Sequence, residues 1–124
     1  MIEGATNQVA SAVGTHVLID VRGRAHGLDD PAALEPILRE AALAAGATIL
    51  ESRFHHFGET GSETGGVTGF VMLSESHISI HSWPELSYAA LDIFMCGSAR
   101  IEAAIAVIER AFEGSDLTVR RLAR

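Results

Sequence analysis

From His77 to His81 the chain alternates without interruption between polar side chains and isoleucine: His77, Ile78, Ser79, Ile80, His81. A period of two is the signature of a β-strand with two unlike faces. Trp83-Pro84-Glu85 ends the run, because proline is tolerated only at strand ends and edges. The alternation also limits the chemistry. On a strand, His77 and His81 stand roughly 13 Å apart at about 3.3 Å per residue. They cannot both bind one ion directly, so no metal site is expected here. Ser79 and His81 do share a face. Ser76 stands at the start of the strand, where a tight, strained turn can hold the backbone.

The remaining elements group around this strand. Thr15 to Val21 is rich in β-branched residues and reads as a strand. Gly23 to Leu28 reads as a turn. Asp30-Pro31 reads as a helix N-cap followed by proline at the first helical position. Leu34, Ile37, Leu38, Ala41, Ala42 and Ala45 follow at helical spacing, and Gly46 is a natural stop. Thr48 to Phe57, Val67 to Leu73, Tyr88 to Met95 and Leu117 to Leu122 read as further strands. Gly58 to Gly66 reads as a glycine-rich loop. Ser98 is expected to cap a second helix, with Ile101, Ala104, Ile105, Ile108 and Phe112 buried and Gly114 at its end. Two helices among five or six strands predict an α+β fold: a two-layer sandwich, with an antiparallel or mixed sheet and both helices packed on one face.

A chain of 124 residues is most simply one domain, and 48% hydrophobic residues give it a core. The net charge of −7 disfavours nucleic acid and anionic membrane as partners. Nothing approaches the roughly 20 apolar residues of a membrane span, and Met1 to Gly14 does not read as a signal peptide. One cysteine, Cys96, cannot form an internal disulfide, which points to the cytoplasm. His55 and His56 alternate faces, so at most one of them can point into a site.

Glu75-Ser76-His77-Ile78-Ser79-Ile80-His81-Ser82-Trp83-Pro84-Glu85, followed by Tyr88-Ala89-Ala90-Leu91-Asp92-Ile93-Phe94-Met95-Cys96-Gly97, closely resembles the prokaryotic S-adenosylmethionine decarboxylase proenzymes. Gly14-Thr15-His16-Val17-Leu18-Ile19-Asp20, Ala45-Gly46-Ala47-Thr48-Ile49-Leu50, Phe54-His55-His56-Phe57 and Gly66-Val67-Thr68-Gly69 resemble the strands that precede them in that family. The resemblance implies self-cleavage between Glu75 and Ser76, giving chains 1–75 and 76–124. Ser76 would attack the Glu75 carbonyl to form an ester. Elimination and hydrolysis would then leave a covalent pyruvoyl cofactor at position 76, which forms a Schiff base with the substrate amine and acts as an electron sink.

By position, His81 and Thr68 would assist this processing, and Cys96 would protonate the substrate carbanion after carbon dioxide leaves. Phe57, Trp83 and Glu85 would line the nucleoside and sulfonium pocket. The product, decarboxylated S-adenosylmethionine, is an aminopropyl donor for spermidine and other polyamines. The family works as a homodimer of cleaved protomers.

The chain also departs from the family. Thr68 stands where a serine is usual, and Met95 where a threonine is common. The loop after Phe57 is longer and carries Glu59 and Glu63, and the tail after Gly114 is short and matches poorly. These departures leave two other readings: the same chemistry on a basic amino acid such as arginine or ornithine, or an unprocessed homologue acting as a binding or regulatory subunit.

Overall fold

Six strands and two helices follow one another as β1 (Gly14–Arg22), α1 (Pro31–Ala44), β2 (Ile49–His56), β3 (Val67–Leu73), β4 (Ser76–Trp83), β5 (Tyr88–Cys96), α2 (Ile101–Ala111) and β6 (Asp116–Ala123). The computed structural model describes residues 12–24, 26–58 and 65–124. Most of the N-terminal lead-in, and Glu59 and Glu63 of the long loop, lie outside the described residues.

The strands form one sheet in the order β2-β3-β4-β5-β1-β6. Every neighbouring pair is antiparallel. This settles the sheet as antiparallel rather than mixed, with β4 near its centre. The pleat sorts side chains row by row. One row across the sheet is Gly69, Ile80, Leu91, Ile19 and Val119; the next on the same face is Val71, Ile78, Ile93 and Val17. These rows meet Leu34 and Leu38 of α1 and Ile105 and Ile108 of α2 in the core. Both helices thus lie on one face of the sheet, as the alternation requires.

Helix α1 begins as its sequence predicts. The Asp30 side chain accepts the Ala32 N–H at 2.9 Å, and Pro31 occupies the first turn. It stops at Gly46, whose φ of +81° suits a residue without Cβ. The Ala47 N–H closes back on the Ala42 carbonyl at 3.0 Å. Helix α2 starts differently from the expectation. Ser98 does not cap it. Arg100 stands at the N-cap with no side-chain capping bond, and its N–H donates to the Ala45 carbonyl at 3.0 Å. The end of α1 therefore anchors the start of α2, a long-range bond that Ser98's local signal could not reveal.

Among the described residues, nothing forms a layer over the other face of the sheet. Its rows are Met72, His77, Phe94, His16 and Leu122; Phe70, Ser79, Asp92, Leu18 and Arg120; and Thr68, His81, Ala90, Asp20 and Thr118. Phe70 is 42% exposed, Met72 39% and Leu122 54%. Together they leave an exposed apolar band, interleaved with histidines, on this face of a single copy.

Phe112, fully buried where α2 ends, is the largest side chain in the core. Phe112→Ala should cost about 3–5 kcal/mol through transfer and cavity terms. Urea unfolding of the purified variant against the parent would measure it.

Candidate active site

The two ends of β4 carry two different clusters. At its start, Glu75 adopts φ +65°, a left-handed conformation that costs a non-glycine residue about 1–3 kcal/mol. This turn delivers the Glu75 carbonyl to the end of β5. There the Cys96 thiol donates to the Glu75 carbonyl oxygen at 3.3 Å and stands 3.9 Å from Ser76 Oγ. The Glu75 carboxylate also approaches the thiol, at 3.7 Å. A polar pocket of about 220 Å³ opens beside them, walled by Ser74, Ser76, Cys96, Thr48, Gly46 and Arg100. The arrangement suits intramolecular acyl transfer: a hydroxyl follows a strained peptide whose carbonyl has a hydrogen-bond donor on its oxygen.

At the other end of β4, Thr68 Oγ1 and His81 Nδ1 are 3.0 Å apart, because β3 and β4 pair these two residues directly. They line a second pocket of about 320 Å³ with Phe57, Gly66, Trp83 and Glu85. Aromatic stacking fixes the Trp83 ring: it lies on Tyr88 at 5.4 Å and 22°, and the Arg22 guanidinium also sits over the Tyr88 ring, at 4.5 Å. The Tyr88 hydroxyl donates to Asp20 at 2.6 Å, and this bond raises the phenol above its ordinary pKa and keeps it neutral. A single 3-10 turn, Pro84–Leu86, places Glu85 at the rim. Phe57 is 63% exposed at the mouth, held by its N–H to the Gly66 carbonyl at 2.8 Å.

The floor of this pocket rests on Ser82, whose role the sequence alone did not reveal. Its buried hydroxyl accepts the Val67 N–H at 2.9 Å and donates to the Leu28 carbonyl. A Cβ on Gly66 would lie 2.2 Å from the Ser82 carbonyl oxygen, so only glycine fits there. Tyr88, the platform under Trp83, was likewise not evident as a site residue.

The eight residues singled out from the sequence therefore fall into two groups. Glu75, Ser76 and Cys96 come together, and so do Phe57, Thr68, His81, Trp83 and Glu85. The groups do not meet within one copy. Five residue steps along the strand, about 16 Å, separate Ser76 from His81, and the pleat turns the two side chains to opposite faces. Between the clusters, on the uncovered face, His77 stacks on Phe70 at 5.5 Å. Burial, and then the nearby His16, pushes the pKa of His77 below its ordinary value. His16 Nε2 is buried without a hydrogen-bond partner, 3.9 Å from Asp92. Among the described residues, no group of three His, Cys, Asp or Glu side chains could hold a metal ion.

The architecture matches the crystal structure of the adenosylmethionine decarboxylase from Aquifex aeolicus, with a TM-score of 0.78 and 29% identity over 91% of each chain. The S-adenosylmethionine decarboxylase proenzyme of Caldanaerobacter subterraneus is 47% identical over 88 residues, covering 70% of this chain and 67% of the relative. That of Syntrophomonas wolfei is 49% identical over 87 residues, covering 69% and 65%. The aligned stretch thus spans about two thirds of these relatives' length. The family model for S-adenosylmethionine decarboxylase matches residues 15–124, through the C-terminal tail that matched poorly by motif. This chain belongs to the S-adenosylmethionine decarboxylase family.

Two outcomes follow from this geometry. Ser82→Ala should cost about 1–3 kcal/mol, because it strands a buried N–H and a buried carbonyl; thermal unfolding checks this. The lowered pKa of His77 means that the unfolded chain takes up that proton more readily than the folded one. Stability from this group is therefore present above the unfolded pKa of about 6.5 and falls as pH drops below it. Melting curves from about pH 8 to about pH 5 should show a smaller loss for His77→Phe, which keeps the stack, than for the parent.

Proposed function

We propose that this chain is a cytoplasmic, self-processing, pyruvoyl-dependent decarboxylase of S-adenosylmethionine. It would act as one domain cut into 1–75 and 76–124, and supply an aminopropyl donor for polyamine synthesis. The observation that carries this reading is the Glu75–Ser76 junction: a left-handed residue whose carbonyl oxygen rests on the Cys96 thiol, with the Ser76 hydroxyl behind it.

Ser76 Oγ attacks the Glu75 carbonyl carbon, and the Cys96 S–H stabilises the oxyanion. The C–N bond breaks as the acyl group moves to oxygen, leaving an ester and a free amine at residue 76. A base removes the α-proton of residue 76, the Cβ–Oγ bond breaks, and Glu75 departs as a carboxylate. Water then replaces the nitrogen, which leaves as ammonia, and a ketoacyl cap remains. The pyruvoyl group supplies a carbonyl that captures a primary amine and takes up the electron pair left by departing carbon dioxide. Cys96, still at that position, returns a proton to the substrate carbon.

The base is His81 of a second copy, held by that copy's Thr68. His81 of the same copy is too far away and faces the other way, and Cys96 lies on the side of β5 that carries the uncovered apolar band. Packing two such faces together would cover the band and bring each start of β4 to the other copy's far end, giving a homodimer with two shared sites. Phe57 and Trp83 suit the sulfonium and the adenine, and Glu85 the ribose hydroxyls. Its relatives, S-adenosylmethionine decarboxylase proenzymes, support this substrate. A lone Cys96 kept as a thiol fits the reducing cytoplasm. Among the described residues no helix is long and apolar enough to cross a membrane.

Intact mass of fresh protein should show two fragments split after Glu75, and Ser76→Ala a single uncut chain. Persistent full-length parent protein would instead support a non-catalytic homologue. Carbon dioxide release should occur with S-adenosylmethionine; release with arginine or ornithine alone would reassign the substrate. Ser76→Ala and His81→Ala chains, each uncut when expressed alone, should yield cut His81→Ala chains when co-expressed. No cut in the mixture would reject the shared site. Cys96→Ala should cleave slowly and decarboxylate poorly, whereas Cys96→Ser should recover cleavage.

A further inference from the structure

We propose that Arg100 is the counter-ion for the α-carboxylate that self-cleavage creates on Glu75, and that it positions this new chain end away from the carbonyl formed at residue 76. The inference rests on the self-cleavage reading above, and concerns what the cut does to local charge.

The cut is electrically lopsided. The neutral peptide carbonyl of Glu75 becomes a carboxylate that keeps its own oxygen and gains Oγ of Ser76. The other new end gains no compensating ammonium, because its nitrogen leaves as ammonia. One negative charge therefore appears where the Cys96 thiol meets the Glu75 carbonyl. The side-chain carboxylate of the same residue already approaches that thiol. The chain as a whole carries −7, so long-range fields give no relief.

Among the described residues, Arg100 is the one cation on the wall of the pocket that holds Ser76 and Cys96. Its backbone N–H is fixed to the Ala45 carbonyl, but its guanidinium is exposed and makes a single long hydrogen bond, 3.3 Å to the Ala44 carbonyl. Among the described residues no carboxylate pairs with it in the uncut chain. A guanidinium so placed can turn into the pocket and take a carboxylate bidentately.

The substrate's own carboxylate is the rival partner. That group must leave as neutral carbon dioxide, so pairing it with a guanidinium would stabilise the ground state more than the transition state. The Glu75 carboxylate keeps its charge throughout, and it is the leaving group of the elimination. Arg100 would therefore favour its departure as well as hold it afterwards.

The test compares Arg100→Gln in two backgrounds: the self-cleaving chain, and the uncut Ser76→Ala chain, which never forms the carboxylate. The bond to Ala44 exists in both. Arg100→Gln should lower the Tm of the cut protein by about 4 °C and leave the uncut protein within about 1 °C. Arg100→Lys should restore part of the loss in the cut protein. Carboxypeptidase should also trim the Glu75 end several-fold faster in cut Arg100→Gln, read from the mass of the N-terminal fragment. Equal Tm losses in both backgrounds would make Arg100 merely structural and overturn the proposal. Unchanged Tm and trimming in the cut protein would also overturn it. An Arg100→Gln chain that stays uncut and also resists hydroxylamine, which cleaves an ester but not a peptide bond, would overturn it by placing Arg100 in the attack step. An uncut parent chain would overturn the self-cleavage reading as well, and intact mass tells these cases apart.

Discussion

The pleat of β4 organises everything else in this molecule. Ile78 and Ile80 point into the core beneath the helices, and His77, Ser79 and His81 point away from it. Burying the isoleucines fixes the register, because a slip of one residue would put them in water and bury both histidines. Once that register holds, His81 must meet Thr68, and Ser76 must stand at the hairpin with Leu73. The strand then cannot bring its own serine and its own histidine together.

This constraint makes the uncovered face part of the functional argument. Its aromatic and histidine rows lie between two half-sites, each of which lacks something. The cluster at Glu75 and Ser76 has a strained peptide, a hydroxyl and a thiol, but no base on the correct side. The cluster at Thr68 and His81 has an oriented imidazole and an aromatic pocket, but nothing to cleave. In the dimer proposed above, a second copy would supply each deficiency and cover the apolar band. Hydrophobic burial and completion of the site would then be the same event.

Much of this was legible in the sequence, for local reasons. Asp30-Pro31 starts a helix and Gly46 stops it through hydrogen bonds and dihedral preferences within a few residues. The strands announced themselves by period, and the chemistry-bearing residues by their place in a recognisable motif. Other features depended on partners far along the chain. Ser98 looked like a cap, but the α2 start is tied to Ala45. Ser82 looked like one more polar residue after an alternating run, yet it bonds Val67 and Leu28 beneath the pocket. Arg100 carried no motif at all, and its interest comes only from sharing a wall with Ser76 and Cys96.

The sequence by itself determined the α+β class, the strands and helices, the list of reactive groups and the family. These follow from periodicity, capping and motif, which act over short stretches of chain. The tertiary structure alone decided that the groups fall into two clusters at opposite ends of β4, that the sheet is wholly antiparallel with one face left uncovered by the described residues, and which cation overlooks the junction. Those facts depend on strand order and on contacts between residues distant in sequence, which hydrogen bonding across the sheet and burial of one of its faces impose only when the whole chain has folded.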